Sequence, residues 1–354
     1  MRIAFLADAS LPHTVRWVNF FAGRGHDCLL LSLERGDGYA CVVHELAPHR
    51  MLPRFLRYSL DVPAAGARLR AFAPDLVNAH FLPNYGWMAA RVGLHPLVLT
   101  TLGSDILTVP ARSPLHRWRT RWVLSRCDRV TSDAAMLSRA IAAFGFPEER
   151  ILTVPLGIET GRFAAPAERP EHPIVILSTR RLDPIYDIDT LLRAYRRLGS
   201  ESRGSLELRI AGSGTLESGL RRRAVDLPVR FLGWLTTAQL DRELRDAHLY
   251  VTASLSDSTS VSLLEAMAAG CFPVASDIPG NREWITHAET GLLFPCGDDA
   301  ALAACLQRAA GDADLRRRAA EANRRVVSER ASWENNMRAV EQLFMTSCGG
   351  PSVA

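Results

Sequence analysis

The sequence contains no lysine: all 42 of its basic residues are arginine. Every permanent positive charge the chain can offer a ligand is therefore a guanidinium, planar and suited to paired hydrogen bonds with carboxylate or phosphate. Cysteine is sparse. The seven cysteines (Cys28, Cys41, Cys127, Cys271, Cys296, Cys305, Cys348) are odd in number and include no C-x-x-C pair. That argues against a disulfide framework and against a zinc site, and leaves reduced thiols. No apolar stretch reaches the roughly 20 residues that span a bilayer. The apolar run at 3–7 is too short for a signal-peptide core, so a cytoplasmic place is expected. The net charge of +4 is modest and the arginines alternate with acids over most of the chain. With no recognisable nucleic-acid module, no nucleic-acid partner is expected.

What remains is an ordinary globular composition, 47% hydrophobic and 23% charged over 354 residues. That length accommodates two cores of about 150 to 180 residues each. Short β-rich runs at 3–7, 28–33, 75–80, 97–102 and 151–154 alternate with amphipathic helical stretches, and parallel α/β is the economical reading. A proline cluster at 164–173 (Pro166, Pro170, Pro173) reads as a linker. A second alternating series follows, with strands predicted at 174–179, 206–211, 229–232, 249–253 and 272–276. The expectation is a doubly wound domain over 1–167 and a second over 172–330, with a last helix at about 332–346. In such sheets ligands sit beyond the carboxyl ends of the strands.

The loop after the run 249–253 holds the sharpest constellation. Ser254, Asp257, Ser258, Thr259 and Ser260 precede an apolar run beginning at Val261, and Gly270 with Pro273 marks its end. Small hydroxyl residues suit a helix N-cap, and the free N–H groups behind it suit a diphosphate. Glu265 falls about one and a half turns inside this helix, where a carboxylate can accept hydrogen bonds from the vicinal hydroxyls of a ribose. Asp257 and Glu265 thus put two carboxylates at distinct ends of one site. Arg180 and Arg181, just past the run 174–179, can neutralise a diphosphate. Gly212-Ser213-Gly214 permits close backbone approach to a ligand. Phe231-Leu232-Gly233-Trp234-Leu235 offers an apolar slot for a base. Each feature also has a plainer reading, as a capped core helix, a surface ion pair or ordinary core packing.

Two further patterns bear on partners. Asp187-Ile188-Asp189 has the spacing of metal-dependent transferases, but it opens a helical stretch where aspartate caps, and no metal is expected. Residues 50–70 and 112–129 mix arginine with Leu, Phe and Trp, as in Leu115-His116-Arg117-Trp118-Arg119-Thr120-Arg121-Trp122. Helices of this kind can lie on an anionic membrane surface. A solvated helix face above a buried stripe is the alternative.

Taken together, these residues resemble the retaining glycosyltransferases of family 4, with the GT-B fold of two Rossmann-like domains facing across a cleft. The likeness runs along nearly the whole chain. It rests on an acid, seven residues and a glutamate (Asp257, Glu265), on His13 with Gly25-His26, and on the run Asp75 through His80. Gly103-Ser104-Asp105, Val154-Pro155-Leu156-Gly157-Ile158-Glu159 with Phe163, Arg181-Leu182, Gly212-Ser213-Gly214, Phe231-Leu232-Gly233 and Gly291-Leu292-Leu293-Phe294 complete it.

The resemblance implies that Glu265 holds the donor ribose and that the backbone of Ser258, Thr259, Ser260 and Val261 meets the diphosphate. It implies that Arg181 pairs with a donor phosphate, with Arg180, Tyr186 and Gly212 nearby, and that Trp234 and Leu235 contact the base. Asp257, Arg181 and His13 are the implied catalytic groups. Asp8, Ser10, His80, Asn84, Ser104 and Asp105 are the implied acceptor-side residues, and Trp333 fits a closing helix that packs back on the first domain. The chain departs from the family pattern at four places: Asp257 stands for a glutamate, Tyr186 for a lysine, Leu102 for a histidine, and Asp8 with Ala9 for a glycine pair.

The implied activity is hexosyl or related glycosyl transfer with retention, from a nucleoside diphosphate sugar to a glycan or lipid-linked acceptor. Polysaccharide or cell-envelope synthesis is the implied setting, in the cytoplasm or peripherally on the inner face of the membrane, with the nucleotide sugar as co-substrate and no other cofactor. A sugar-nucleotide epimerase of the same fold and a non-catalytic nucleotide-sugar-binding relative are the alternatives.

Overall fold

The computed structural model describes residues 1–46, 49, 51–163, 169–170, 172–199 and 204–349, the side chains of Arg54 and Phe55 excepted. It divides into two compact units, Met1–Pro155 with Asn335–Ala354, and Leu156–Glu334. The first contains β1 (Arg2–Leu6), β2 (Asp27–Ser32), β3 (Val42–Glu45), β4 (Leu76–His80), β5 (Leu97–Thr101), β6 (Arg129–Ser132) and β7 (Ile151–Thr153). They form one sheet in the order β3-β2-β1-β4-β5-β6-β7, parallel throughout. A sheet buried on both faces is written in continuous apolar runs, which is why β1, β4 and β5 are legible. β3 and β6 were not predicted, because β3 is a short edge strand and β6 is half hydroxyl. The buried hydroxyls of β6 are both matched: Thr131 donates across the sheet to Thr100 Oγ1 at 2.9 Å, and Ser132 donates to the Ala134 carbonyl at 3.0 Å.

The second unit contains β8 (Ile174–Ser178), β9 (Leu206–Ala211), β10 (Val229–Gly233), β11 (Leu249–Thr252), β12 (Phe272–Ser276) and β13 (Leu292–Phe294). Their order is β10-β9-β8-β11-β12-β13, again all parallel. Side chains alternate between two cores. Ile174, Ile176, Leu208 and Ile210 face one, while Val175, Leu177, Tyr250 and Ala275 face the other. The α/β, doubly wound reading of each half is thus what the chain adopts.

The proline-marked break at 164–173 falls largely on residues 164–168 and 171, outside the described ones. The second unit begins at Leu156, ahead of the expected boundary, because the segment after Pro155 is tied into it. Ile158 forms a parallel bridge with Ser332. A Cβ on Gly157, at φ +74°, would meet the Ala331 carbonyl oxygen at 2.8 Å. Further along, Arg169 donates to the carbonyls of Arg245, Ala269 and Gly270 at 2.9, 2.8 and 3.0 Å, answering carbonyls that a helix C-terminus leaves open.

The helix Trp333–Gly349 carries the chain back into the first unit, which it joins from Asn335. Phe344 is fully buried and stacks on Phe21 at 4.9 Å, and Phe21 in turn meets Phe5 of β1 at 5.7 Å. Glu341, 5% exposed, receives Arg24 Nε at 2.7 Å and His26 Nε2 at 2.8 Å. Burial pushes the Glu341 carboxyl up, and the hydrogen bonds and charge of Arg24 and His26 more than reverse this, leaving it below the usual range. A group lowered in this way contributes stability above its unfolded value that is lost as pH falls through the folded one. Glu341→Gln should therefore lower stability by about 1 to 2 kcal/mol at neutral pH, and should flatten the acid side of the urea midpoint against pH. A variant with the parent's acid-side slope would show that the clasp does not anchor this helix.

Candidate active site

In an open parallel sheet, the crevice forms where the strand order reverses. That reversal lies between β1 and β4 in the first unit and between β8 and β11 in the second. Each place gathers candidate residues.

In the second unit the centre is Arg180, in the loop after β8, with 8% of its surface exposed. Its Nη2 donates to Asp257 Oδ2 at 2.5 Å, and its Nη1 donates to Ser260 Oγ at 2.6 Å and Ser262 Oγ at 2.8 Å. The guanidinium carbon sits 4.4 Å above the Tyr186 ring. Burial works against the charge, but Asp257 and the phenol groups of Tyr250 and Tyr186 outweigh it and raise the pKa above the ordinary arginine value. Tyr250, itself fully buried, donates to Ser262 Oγ at 2.8 Å. The position where the resemblance expects lysine thus holds an aromatic platform, and the cation comes from Arg180.

Ser260 caps the helix Val261–Ala268, its Oγ accepting from the Leu263 amide at 3.3 Å. The amides of Val261 and Ser262 belong to the first turn, which has no intrahelical acceptors. Asp257 Oδ1 accepts from the Ser258 amide at 3.1 Å. Ser258 and Thr259 are buried and serve the loop. Gly280, which sequence reasoning did not single out, presses on this turn from below: a Cβ there would lie 2.4 Å from the Asp257 carbonyl oxygen and 2.3 Å from that of Ser258.

Other expectations are redistributed. Arg181 turns away from Asp257: its side chain is 64% exposed and its Nε pairs with Asp183 at 2.9 Å. Two residues leaving one strand in succession point to opposite sides, and it is Arg180 that faces inward. Gly212, at φ +129°, approaches protein where a ligand was expected, since a Cβ there would meet the Arg180 carbonyl oxygen at 2.4 Å. Its turn braces the Arg180 loop, with the Leu182 amide donating to the Ser213 carbonyl at 3.0 Å. Trp234, past the end of β10, is 75% exposed, and Leu235 beside it is half-buried. Asp187 caps the helix Ile188–Arg197 through Thr190, while Asp189 is held by Arg193 and Arg223. The two aspartates are engaged separately.

Glu265 lies within the capped helix, its side chain 14% exposed, with Arg162 Nη1 at 3.7 Å from its Oε1. Arg162 also pairs with Asp241 at 2.7 Å. Burial opposes its charge, and Asp241, Glu265 and Glu159 raise its pKa nonetheless. Arg162 was missed because it sits in a short turn, Thr160–Arg162, with no periodic pattern around it.

The first unit gathers Asp8, His13, His80, Asn84 and Leu102 around a cavity of about 210 Å³, together with Thr14, Phe81 and Tyr85. The cavity lies past the ends of β1, β4 and β5. Asn78 donates from Nδ2 to the Val98 carbonyl and Thr100 Oγ1, so its Oδ1 accepts from His80 Nε2 at 2.9 Å. This fixes the His80 tautomer and leaves Nδ1 as a bare acceptor, buried and with no partner among the described residues. Burial, with His13 nearby, lowers the His80 pKa to about 3. Burial also lowers that of His13, against Asp8, which raises it, and with Arg16, which lowers it further. Both imidazoles are neutral at physiological pH. Phe81 adopts φ +68° at the start of a π-helical turn, Phe81–Gly86, a backbone conformation that bulky residues adopt at a cost and that clusters at functional sites.

The remaining acceptor-side candidates do not join this cavity. Ser10 is exposed and bonded to Asp8, its Oγ donating to Oδ1 at 2.6 Å. Ser104 is exposed at the start of a short helix. Asp105 is fully buried and accepts from the amides of Leu82 and Leu102 at 3.2 and 3.1 Å. It ties the loops after β4 and β5 together.

Two family models match the chain: glycosyl transferases group 1 over residues 161–326, and glycosyl transferase 4-like over residues 2–134. A phosphatidyl-myo-inositol mannosyltransferase of Mycobacterium leprae is 31% identical over 300 residues, which cover 80% of this chain and 78% of that protein. The amylovoran biosynthesis glycosyltransferase AmsK of Erwinia amylovora is 33% identical over 187 residues, covering 49% of this chain and 46% of the relative, so that match spans less than half its length. Among solved structures, HepE of Anabaena in complex with UDP-glucose has a TM-score of 0.78 at 17% identity, covering 98% of this chain and all of that one, and so shares the fold.

Burial raises the Asp105 pKa to about 6 against the hydrogen bonds from backbone amides that lower it. A raised carboxyl contributes fully below its unfolded value, and the contribution is lost as pH rises through the folded one. The window therefore runs from about pH 4 to above pH 6, and a shift of that size corresponds to about 3 kcal/mol. Asp105→Asn should remove this component, so that its stability falls less than the parent's between pH 4 and 7 in urea titrations. Parallel curves for variant and parent would rule the assignment out.

Proposed function

The chain belongs to the glycosyl transferases group 1 family, and from that premise we propose that it moves a sugar, with retention, from a nucleoside diphosphate sugar to an acceptor hydroxyl. The observation that carries the reading is the buried Arg180, which joins Asp257 to the N-terminus of the helix Val261–Ala268. The acceptor we propose is a growing glycan or a lipid-linked one in cell-envelope synthesis, met at the inner face of an anionic membrane. The UDP-glucose complex of HepE, the phosphatidyl-inositol acceptor in the name of the mycobacterial relative and the amylovoran product of AmsK support these finer parts.

The chemical task is to stabilise negative charge on the leaving diphosphate. The open amides of Val261 and Ser262, at the positive end of a helix dipole, and the Arg180 guanidinium supply that stabilisation, and no metal enters the scheme. Glu265 accepts from the ribose hydroxyls, and the exposed Trp234 gives the base a face to stack on. Asp257, held by Arg180, accepts from a hydroxyl of the transferred sugar. In the transfer step the acceptor oxygen bonds to the anomeric carbon on the face the diphosphate leaves. The carbon–oxygen bond breaks with its electron pair kept by the diphosphate, and the acceptor proton passes to a phosphate oxygen. In the first unit, the neutral His80 and His13 offer hydrogen bonds to hydroxyls.

Incubation with a panel of nucleotide sugars, with and without cell-envelope extract, tests the reading through nucleotide release and the anomeric configuration of the product. Acceptor-dependent release with an α-linked product from an α-linked donor is expected, undiminished in chelator. Donor conversion without acceptor would instead show an epimerase, and binding without turnover a non-catalytic relative. Arg180→Ala should lower turnover by about 3 kcal/mol, roughly a hundredfold, and Arg181→Ala by much less. The reverse order would return the leaving-group role to Arg181. Glu265→Gln should weaken nucleotide binding by about 2 kcal/mol, seen as a roughly thirtyfold rise in Kd by calorimetry.

A further inference from the structure

The helix Pro114–Leu124 exposes Leu115 at 67% and Trp118 at 54%, one turn apart on a row that continues to Trp122. Large apolar side chains are seldom left so open in a consecutive row. Trp118 and Trp122 both contact Trp87, with ring centroids at 6.5 and 4.9 Å. On its other side Trp87 donates from Nε1 to Ser59 Oγ at 3.0 Å. Ser59 belongs to the helix Arg54–Leu60, where Leu56 and Leu60 on the same side are 40% and 44% exposed. Two exposed apolar stripes thus converge on one tryptophan.

The charge around them has one sign. Between Asp105 and Asp128 the sequence holds no acidic residue, while Arg112, Arg117, Arg119, Arg121 and Arg126 fall in that interval. None of the five pairs with a carboxylate among the described residues. Arg119 lies 4.3 Å over the Trp87 ring, its Nε and Nη2 buried without an acceptor. Burial and the neighbouring Arg91 lower its pKa. A half-buried guanidinium beside a second one, with no carboxylate paired to it among the described residues, favours an external anion.

We propose that this face docks on an anionic phospholipid bilayer, Leu115 and Trp118 entering the headgroup boundary while Arg117, Arg119 and Arg121 meet lipid phosphates. A soluble polyanion would need the arginines and have no use for the open leucines and tryptophan. A bilayer uses both, because apolar side chains gain from the acyl boundary and arginines from the negative surface. Among the described residues no helix is long and apolar enough to cross a membrane. The inference deepens the membrane part of the proposed function and rests on that reading for its purpose. Its residues take no part in the donor site.

Vesicle flotation separates the two. The full chain should float with vesicles of phosphatidylcholine and phosphatidylglycerol, lose most of that binding at high salt, and stay unbound with phosphatidylcholine alone. The double variant Leu115→Ser, Trp118→Ser should partition at least tenfold less, and Arg117→Gln with Arg121→Gln should weaken binding and its salt dependence together. UDP and GDP binding, measured on the same variants in solution, should be unchanged. No flotation, equal flotation with neutral vesicles, or serine variants that float like the parent would overturn the proposal. So would dextran sulfate that binds the parent and the serine variants alike and strips the parent from vesicles at low salt. Normal flotation without any nucleotide binding would leave the surface standing and bring down the donor reading alone.

Discussion

The organisation of the second unit depends on one buried positive charge. Removing a guanidinium from water costs several kcal/mol unless its donors are met and its charge is balanced. Arg180 meets these conditions with a carboxylate from the loop after β11, a hydroxyl that caps the next helix, a second hydroxyl inside that helix, and a tyrosine ring below. Each partner is fixed in turn, so the arginine sets where Asp257 lies, where the helix begins and which way its open amides point. A short acid is no handicap in such an arrangement. The carboxylate of Asp257 is placed by its ion pair, which makes up for one methylene less of reach.

Loops that must meet around a buried charge cannot drift, and here glycines hold them by permitting contact. Gly212 lets the turn after β9 lie against the Arg180 carbonyl, and Gly280 lets the turn after β12 lie against the Asp257 and Ser258 carbonyls. A methyl group at either place would push apart the two halves of the Arg180–Asp257 pair from outside. The glycine-x-glycine turn therefore does structural work at one remove from the ligand, positioning the residue that would touch it.

Much of this was legible in the sequence, and the gaps have physical causes. Strands buried on both faces announce themselves as apolar runs, and ten were read with ends within a residue or two. β3, β6 and β13 escaped because two of them sit at sheet edges and the third satisfies buried hydroxyls against its neighbour. The helix cap at Ser260 and the placement of Glu265 were readable from residue type and spacing. Which of two successive arginines faces inward was not, since it depends on where β8 ends and what stands opposite. Arg162 and Gly280 carry no local signal: their roles exist only through Asp241 and Glu265 in one case and the carbonyls of residues 257 and 258 in the other. The bonds that Asp105 makes were hidden for a related reason. A polar residue in a recognisable motif can be there to bind backbone amides.

The two units divide the electrostatics. The second concentrates paired charges, with arginines balanced by carboxylates beside an open helix end. Around its cavity the first unit places neutral groups: His80 in a fixed tautomer with a bare Nδ1, His13 with its pKa lowered by burial, and Leu102 where a histidine would be expected. A diphosphate asks for positive charge and a sugar hydroxyl asks for neutral donors and acceptors, so each unit is suited to one end of a nucleotide-sugar reaction. An imidazole with a pKa near 3 can accept a hydrogen bond at any physiological pH without holding the proton.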